Sequence, residues 1–401
     1  MLSTNSKFKV QCVKCNLVQS QAYSPTCQSC DALTEAYFDT GNVRLVDSDN
    51  PYERYFDLIP VLDRDLLPKD AAFSPLVHAT ELGATLGLKN LYLKNETALP
   101  TGTTKYRMAA VSLPYLFESG VTEFCTSSTG NSSSAYAHLI RNIPDLNMRI
   151  FTGDAFRNRV NYESGAQIAH YICHRASFAE AFVVAAQFAE RGGYTSERGF
   201  FNLGRREGLK LSWYEAVEQA GFSFDWYVQA VSSAMGVYGV YKAAKELMQL
   251  GIANHLPRLL CAQQSSCSPL VSAWEAGSQT IQPEHIVADP SGIAMAILRG
   301  DPTRVYPYMR EIVSESGGSF LAASEQEIRD ARKAVLELEG IDICFSAATA
   351  VAGLIRAVGR GQVASDDRIL INLTGSDRVY DSVPQDVIHL DKVDGEWVER
   401  A

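Results

Sequence analysis

From about residue 86 onward, the chain alternates short apolar runs with longer helical patterns. Apolar runs of roughly four to eight residues are typical of buried strands. Strands that alternate with helices predict an α/β fold with parallel sheets, which bind ligands at the carboxyl ends of their strands. The predicted strands are NLYLKNE, VTEFCTSS, NMRIFTG, AFVVAA, WYVQAVSS, RLLCAQQS and RILINLTGS, and the predicted helices cover 133–141, 238–250, 325–339 and 347–358.

Length and charge limit the classes of protein that this chain can form. A chain of 401 residues is longer than a single small hydrophobic core accommodates, so we expect two main domains and a smaller module. A net charge of -10 disfavours nucleic-acid binding, which needs clustered Lys and Arg. No stretch reaches the length of a membrane span, and the first residues lack the apolar core of a signal peptide. We therefore predict a cytoplasmic protein with small-molecule partners and with neither nucleic acid nor membrane as a partner.

Four of the nine cysteines lie near the N-terminus as two C-x-x-C pairs. The segment CVKCNLVQSQAYSPTCQSC contains Cys12, Cys15, Cys27 and Cys30, which can supply four thiolates in tetrahedral geometry. A closed shell of four sulfurs is typical of structural zinc, so we predict a zinc-ribbon-like module without a catalytic role. The alternative is four ordinary cysteines that bind no metal.

The loop SSTGNSSSAYAHL joins the run EFCT to a helical pattern. Gly130 permits a tight turn, and Asn131 and the serines can cap the helix. The exposed N–H groups at a helix start attract anions, so a carboxylate or phosphate would fit this loop. A serine-rich cap without a ligand is the alternative.

Two further loops follow predicted strands. SSAMGVYG, after YVQAV, has the position of a phosphate-binding turn but contains only Gly236 and Gly239. LTGSDRV, after RILIN, places Thr374 and Ser376 at the carboxyl edge of a strand. Hydroxyl groups there can bond to a ring nitrogen of a ligand or simply form a turn.

A single lysine, Lys105, follows the hydroxylated segment PTGTT and precedes a helical pattern. Taken alone, this position is more typical of a solvated side chain than of a reactive amine. A lysine acts as a nucleophile or base where burial and neighbouring charges lower its pKa. The role of Lys105 therefore depends on the rest of the chain.

In order along the chain, these segments resemble the threonine synthase family and, more broadly, the tryptophan-synthase-β-like (fold type II) pyridoxal-phosphate (PLP) enzymes. The resemblance covers nearly the whole chain, and a zinc-ribbon-like N-terminus occurs in one branch of that family. The family segment that ends in the cofactor lysine is resembled by SPLVHATELGATLGLKNLYLKNETALPTGTTKYRMA. The family's Ser-Thr-Gly-Asn loop is resembled by SSTGNSSSAYA, and its Asn-Pro-x-Arg-x-Glu-Gly-x-Lys stretch is resembled by FFNLGRREGLK. IVADPSGIAMAILRGDPTRVYPYM, SEQEIRDARKAVLELEGIDICFSAATAVAGL and LTGSDR follow in the family's order.

The resemblance implies a fold type II PLP enzyme with two three-layer α/β domains and the N-terminal zinc-ribbon-like module. The implied domains are the module over 1–45, a large PLP domain over 46–92 and 201–385, a small α/β domain over 93–200, and a C-terminal tail over 386–401. Dimers are common for this fold, so the resemblance also implies a homodimer.

The resemblance assigns roles to single residues of this chain. Lys105 would bind the cofactor through its amine and act as the general base, and Asn131 would bind the phenolic oxygen of the cofactor. Thr374 would face the pyridine nitrogen. The cofactor phosphate would be held by Ser232, Ser233, Ala234, Met235 and Gly236, and the substrate carboxylate by Ser128, Thr129, Gly130 and Ser132.

Three segments depart from the family pattern. After the lysine, Tyr106 and Met108 replace an aspartate and a glycine, although Arg107 is kept. The loop SSAMG lacks the usual glycines and asparagine, and TGSDRV lacks the histidine and lysine of Thr-Gly-His-Gly-Leu-Lys-Asp. Backbone donors and Thr374 remain for the cofactor, so we expect these changes to affect the choice of substrate first.

The resemblance implies a PLP-dependent lyase or synthase of amino-acid biosynthesis. It would act by elimination and replacement at Cβ or Cγ of an amino acid with a phosphate or similar leaving group, as threonine synthase does when it converts O-phosphohomoserine to threonine. One alternative is a cysteate-synthase-like replacement on O-phosphoserine or another activated serine, and another is a non-catalytic amino-acid-binding or interaction protein. Candidates for a substrate phosphate or sulfonate, or for ordinary ion pairs, are Arg157, Arg159, Arg205 and Arg206.

Overall fold

The computed structural model describes residues 7–20, 22–377 and 386–400. The chain divides into two compact units. Unit 1 is drawn from Met1–Ala72, Lys105–Gly208 and Arg378–Ala401, and unit 2 from Phe73–Thr104 and Leu209–Asp377. No helix in the described part of the chain combines the length and the hydropathy that a membrane span requires.

Unit 2 is built on six strands, which form one sheet in the order β11-β10-β9-β12-β4-β3 once they are numbered along the chain. All neighbouring strands are parallel except the edge strand β3, which is antiparallel to β4. The strands are β3 Leu76–His78, β4 Asn90–Asn95, β9 Trp226–Ala230, β10 Arg258–Gln264, β11 Ser319–Ala323 and β12 Arg368–Leu373. The helices are α2 Thr80–Leu86, α7 Leu211–Ala220, α8 Met235–Gln249, α9 Pro269–Glu275, α10 Tyr306–Glu315, α11 Glu325–Glu339 and α12 Phe345–Gly359.

Both faces of this sheet are covered by helices. Alternate side chains of a strand point to opposite faces. On one face, Val228, Leu260 and Ile371 belong to a core that includes residues of α11 and α12. On the other face, the ring of Tyr227 contacts Trp213 of α7, with ring centroids 5.9 Å apart. Burial on both sides explains why these strands are nearly continuous apolar runs in the sequence.

Unit 1 contains a second six-stranded sheet, in the order β14-β13-β7-β6-β5-β8, and a separate antiparallel pair, β1 and β2. The sheet is parallel except for β14. Its strands are β5 Glu123–Ser127, β6 Asn147–Gly153, β7 Ile168–Cys173, β8 Thr195–Ser196, β13 Ile388–Val393 and β14 Glu396–Glu399, and the pair is β1 Phe8–Cys12 and β2 Thr34–Phe38. The helices are α1 Pro51–Arg54, α3 Lys105–Glu118, α4 Asn131–Ile140, α5 Phe178–Gly192 and α6 Leu203–Leu209.

Six of the seven predicted strands are confirmed, and the predicted strand AFVVAA is wrong. Residues 181–186 lie inside helix α5, which begins with a capping box formed by Ser177 and Glu180. Val184 is buried whereas the neighbouring Val183 is exposed, as expected for one face of a surface helix. A short apolar run without alternation does not distinguish a strand from a helix, and here the cap signal decides.

The compact units differ from the predicted domain boundaries, which stay a prediction. Residues 46–72 fall in unit 1, and β4 belongs wholly to the sheet of unit 2. The segment 386–400 is not a separate tail, because β13 pairs in parallel with β7 and β14 pairs with β13. Only Leu390 of these two strands is fully buried, so the segment carries little of the apolar pattern that predicts a strand.

Candidate active site

The loop 128–133 turns tightly between the end of β5 and the first turn of α4. Ser128 Oγ lies 2.7 Å from Ser133 Oγ and accepts hydrogen bonds from the N–H groups of Gly130 and Ser133 at 3.1 and 3.2 Å. Gly130 has a φ of +118°. A Cβ atom at Gly130 would lie 2.4 Å from the carbonyl oxygen of Arg159, so only glycine fits there.

This turn brings together the four residues predicted to bind the substrate carboxylate. Ser128 uses its hydroxyl oxygen to hold the turn itself. Thr129 and Asn131 are half-buried, and Ser132 is buried. The N–H groups at the start of α4, a ten-residue helix, lie in the same loop and favour a negatively charged ligand.

Lys105 is the first residue of helix α3 and is half-buried. Desolvation, and then the positive charge of Arg205, lower the pKa of the Lys105 amine to about 8. An amine with this pKa is neutral in roughly one molecule in ten at pH 7, far more often than an ordinary lysine, and the neutral form is the nucleophile or general base. The chemistry of Lys105 therefore fits a reactive lysine better than a solvated one.

Arg205 is buried and forms hydrogen bonds with residues of unit 1. Its Nε donates to Tyr136 OH at 3.0 Å and to Glu197 Oε2 at 2.7 Å, and its Nη2 donates to Glu197 Oε1. Its Nη1 donates to Ser132 Oγ at 3.4 Å. Glu197 also accepts a hydrogen bond from the Thr126 hydroxyl at 2.9 Å. Of the two predicted roles for Arg205, the structure contains the ion pair.

The neighbouring Arg206 anchors the N-terminal cysteine module. Its guanidinium is buried and donates to the carbonyl oxygens of Phe200 and Thr34. The hydroxyl of Tyr23, which lies between the two cysteine pairs, donates to the carbonyl oxygen of Glu197 at 2.8 Å. Hydrogen bonds therefore connect the cysteine module to α6 and to the segment that precedes it.

The four cysteines of the module converge on one point. Cys12 Sγ lies 3.5 Å from Cys30 Sγ, Cys15 Sγ lies 3.6 Å from Cys27 Sγ, and all four sulfurs lie within 4.8 Å of one another. Four sulfurs bound tetrahedrally to zinc stand roughly 3.8 Å apart, so the spacing fits this metal. The N–H groups of Lys14 and Cys15 donate to Cys12 Sγ at 3.3 and 3.4 Å, which stabilises a thiolate.

In unit 2, the loop 232–236 leads from β9 directly into helix α8. Ala234 has a φ of +57°, a left-handed conformation that is uncommon for a residue with a Cβ atom. A Cβ at Gly236 would lie 2.7 Å from Gln229 Oε1. The sharp turn leaves the first N–H groups of a 15-residue helix without helical partners, an arrangement that suits a phosphate group.

Thr374 directly follows β12, and its carbonyl oxygen accepts a hydrogen bond from the N–H of Thr104 at 2.9 Å. The N–H of Ser376 donates to the carbonyl oxygen of Gly102 at 3.0 Å. The segment that ends one residue before Lys105 is therefore paired with the TGS segment inside unit 2. Sequence reasoning missed this pairing because it joins residues far apart in the chain.

A buried polar chain lies beneath these two loops of unit 2. Asn372 Nδ2 donates to Tyr227 OH at 2.9 Å, and Tyr227 OH donates to Gln229 Oε1 at 2.6 Å. Asn372 Oδ1 is buried without a hydrogen-bond partner among the described residues. Gln229 contacts the turn at Gly236, and Asn372 lies two residues before Thr374. Sequence reasoning missed these residues. A signal was present, because a polar residue inside an apolar strand is buried and needs a hydrogen-bond partner.

The residues that depart from the family pattern have packing or ionic partners in the structure. Tyr106 and Met108 are buried, and the ring of Tyr106 lies 6.5 Å from that of Tyr52. Asp377 forms an ion pair with Arg332 at 2.7 Å. The residues that follow Asp377 in the TGSDRV motif lie outside the described residues.

Comparison with known proteins identifies the relatives of the chain. A model of the pyridoxal-phosphate dependent enzyme family matches residues 69–375. A threonine synthase of Methanosarcina acetivorans is 28% identical over 379 residues, which cover 92% of this chain and 91% of that protein. A cysteate synthase of Methanosarcina barkeri is 28% identical over 387 residues, with 92% and 91% covered. The structure of maize serine racemase aligns with a TM-score of 0.62 at 20% identity, covering 76% of this chain and 88% of that chain.

These matches confirm the predicted family resemblance, the fold class and PLP as the cofactor. The serine racemase likeness, at its low identity, concerns the fold alone. The predicted roles of single residues stay predictions, because none of these matches tests them.

Replacing Gly130 with alanine should lower the free energy of unfolding by about 2 kcal/mol or more, because the added Cβ collides with Arg159 and the backbone has a positive φ. Urea denaturation of the purified variant measures this loss. Gly165→Ala is the matched control, since a Cβ there has no neighbour within 4 Å, and its stability should change by less than about 0.5 kcal/mol. Equal stabilities of the two variants would contradict the description of this loop.

Proposed function

Because the chain belongs to the family of pyridoxal-phosphate dependent enzymes, we propose that it is a PLP-dependent lyase or synthase acting by elimination and replacement on an activated amino acid. The observation that carries the proposal is Lys105, a half-buried lysine whose pKa is lowered to about 8. Similarity to a threonine synthase along 92% of the chain favours O-phosphohomoserine as substrate and threonine as product.

The residues of each unit suit the parts of PLP that we assign to them. In unit 2, the turn 232–236 offers N–H groups at a helix start for the phosphate, and Thr374 offers a neutral hydroxyl for the pyridine nitrogen. In unit 1, Lys105 offers its amine and Asn131 its amide. When bound, PLP supplies a ring that delocalises the negative charge left by removal of a proton from Cα of an amino acid.

In the proposed reaction, the residues of unit 1 bind the substrate and move its proton. Thr129 and Ser132, with the N–H groups at the start of α4, hold the substrate carboxylate. The neutral amine of Lys105 accepts the Cα proton as general base. The protonated amine can then return a proton to the product, so that the same residue serves both halves of the reaction.

A second candidate is a cysteate-synthase-like replacement on O-phosphoserine or another activated serine. It is favoured by a cysteate synthase that is as similar as the threonine synthase, at 28% identity over 387 residues. The two candidates share the proton transfer at Cα and differ in the carbon that carries the leaving group. The alternative of a non-catalytic protein has no observation of this kind in its favour.

We further propose that the cysteine module holds a structural zinc ion and that the protein is a cytoplasmic homodimer. The convergence of Cys12, Cys15, Cys27 and Cys30 supports the zinc ion. The homodimer is proposed by analogy with the fold class.

The protein loaded with PLP should release inorganic phosphate from O-phosphohomoserine, and Lys105→Ala should slow this release at least about 100-fold because the general base is lost. A coupled phosphate assay measures both rates. Lys89→Ala is the control, since Lys89 forms an exposed ion pair with Asp366 and has no proposed role in the reaction. Release only from O-phosphoserine in the presence of sulfite would select the second candidate. No release from either compound by PLP-loaded protein would contradict the proposed function.

Metal analysis of the purified protein should find one zinc ion per chain, and Cys12→Ser with Cys27→Ser should abolish it. The double variant should also unfold at a lower temperature, because a structural zinc site contributes directly to folding. Cys267→Ala, which removes a buried cysteine outside the cluster, should keep the full zinc content. Full zinc content in the double variant would contradict the assignment of this site.

A further inference from the structure

Two histidines join the C-terminal hairpin of unit 1, formed by β13 and β14, to the neighbouring strand β7. His174 directly follows β7, and its Nε2 atom lies 2.7 Å from Nδ1 of His389 in β13. The ring planes differ by only 15° and the centroids are 4.9 Å apart. Nitrogens this close in nearly parallel rings meet edge to edge, because stacked rings cannot approach so closely. A hydrogen bond therefore connects the two imidazoles.

A carboxylate fixes the other nitrogen of His174. Asp154 Oδ1 lies 2.9 Å from His174 Nδ1, and Asp154 Oδ2 accepts a hydrogen bond from the N–H of Arg175 at 2.6 Å. An ionised carboxylate can only accept, so His174 Nδ1 carries a hydrogen. When both rings are neutral, His174 Nε2 is therefore the acceptor and His389 Nδ1 is the donor.

This arrangement can take up one proton but not two. With one added proton, His174 becomes an imidazolium whose Nε2 donates to the neutral ring of His389. With two added protons, both of the facing nitrogens carry hydrogens and both rings carry a positive charge. Neither nitrogen can then accept, so the contact is lost. The contact exists only while at least one of the two rings is neutral.

The charges around the pair further oppose a second proton. Desolvation, and then the positive charges of His174, Arg157 and Arg400, lower the pKa of His389. On β7, His170 bonds to Thr152 Oγ1 at 3.0 Å, and desolvation lowers its pKa to about 4, so it stays neutral above pH 5. The other charged groups near the pair are Asp154, Arg175 and Asp391.

The other side-chain contacts of the hairpin with the rest of unit 1 are few. Leu390 is the one fully buried residue of its two described strands, and Trp397 packs partly buried against the same core. Two exposed ion pairs with helix α5 add little, as surface ion pairs generally do. They join Glu396 to Arg191 at 2.8 Å and Lys392 to Glu180 at 3.8 Å. The histidine contact is therefore a substantial part of the docking.

We propose that the contact between His174 and His389 is a pH-sensitive joint, and that the hairpin β13–β14 leaves β7 when both rings are protonated. Release opens the edge of β7 along Tyr171–Cys173 and uncovers the apolar side chains beneath Leu390. An open strand edge beside apolar surface can pair with another chain. The joint lies outside the proposed reaction and does not depend on it.

Acid is expected to favour release. In the released hairpin, His389 is solvated and has the ordinary imidazole pKa of about 6.5, whereas the docked pair resists its second proton. The released form therefore binds more protons, and its population rises as the pH falls below about 6.5, at most about tenfold per pH unit for one proton. Carboxylates ordinarily titrate below about pH 5, so this range reports on imidazoles.

The test is hydrogen–deuterium exchange of the full-length protein between pH 7.5 and 5.5, with peptides resolved by mass spectrometry and corrected for the intrinsic pH dependence of exchange. Protection of the peptide 388–400 should fall several-fold over this range. Protection of helix α4, in the same unit, should not change. A hairpin whose protection is independent of pH, or an equal fall in α4, would overturn the proposal.

His389→Gln keeps a side chain that can bond to His174 but cannot become charged, so its hairpin protection should be independent of pH. His174→Gln also removes the second positive charge and serves where the first variant does not fold. His255→Gln is the matched control, since His255 in unit 2 also lies beside a carboxylate, 3.4 Å from Asp225. It should keep the pH response of the parent protein. An undiminished response in His389→Gln would overturn the assignment of the joint.

Discussion

The sheet of unit 2 is covered on each face by helices, and this burial decides where polar chemistry can occur in that unit. A strand that is buried on both sides has no place for an unpaired polar group, so ligand-binding residues collect in the loops where strands end. The turns at 128–133, 232–236 and 374–376 each follow the last residue of a parallel strand. The glycine at 130 and the left-handed alanine at 234 allow two of these loops to turn directly into helices.

Each unit contains a network of buried polar side chains that are hydrogen-bonded to one another. In unit 2, Gln229 and Asn372 are joined through a tyrosine hydroxyl beneath the two loops assigned to PLP. In unit 1, Glu197 and Arg205 form an ion pair, and Arg205 also donates to Ser132 in the loop 128–133. Removing either partner of such a pair would leave the other one buried and unpaired. Each network is therefore held in one geometry.

The sequence predicted the parts that depend on local pattern, and failed where distant residues meet. Strands such as β6 and β12 were evident because parallel sheets require apolar runs, and the loops followed from their place after strands. Glu197 carries no local signal, since an isolated acid is ordinarily a surface residue and its partner is known only from the fold. The run at 181–186 predicts a strand but lies inside helix α5, because continuous apolar residues hide the helical period. The edge strand β13 is too polar to be recognised without its neighbour β7.

If Lys105 is the residue to which PLP attaches, the cofactor can be fixed to it chemically without any substrate. The protein is incubated with PLP, reduced with borohydride, digested, and its peptides are analysed by mass spectrometry. One pyridoxyl phosphate group per chain is expected, on the peptide that contains Lys105, and none in Lys105→Arg. A label on a different lysine, or no stable label, would show that Lys105 does not hold the cofactor.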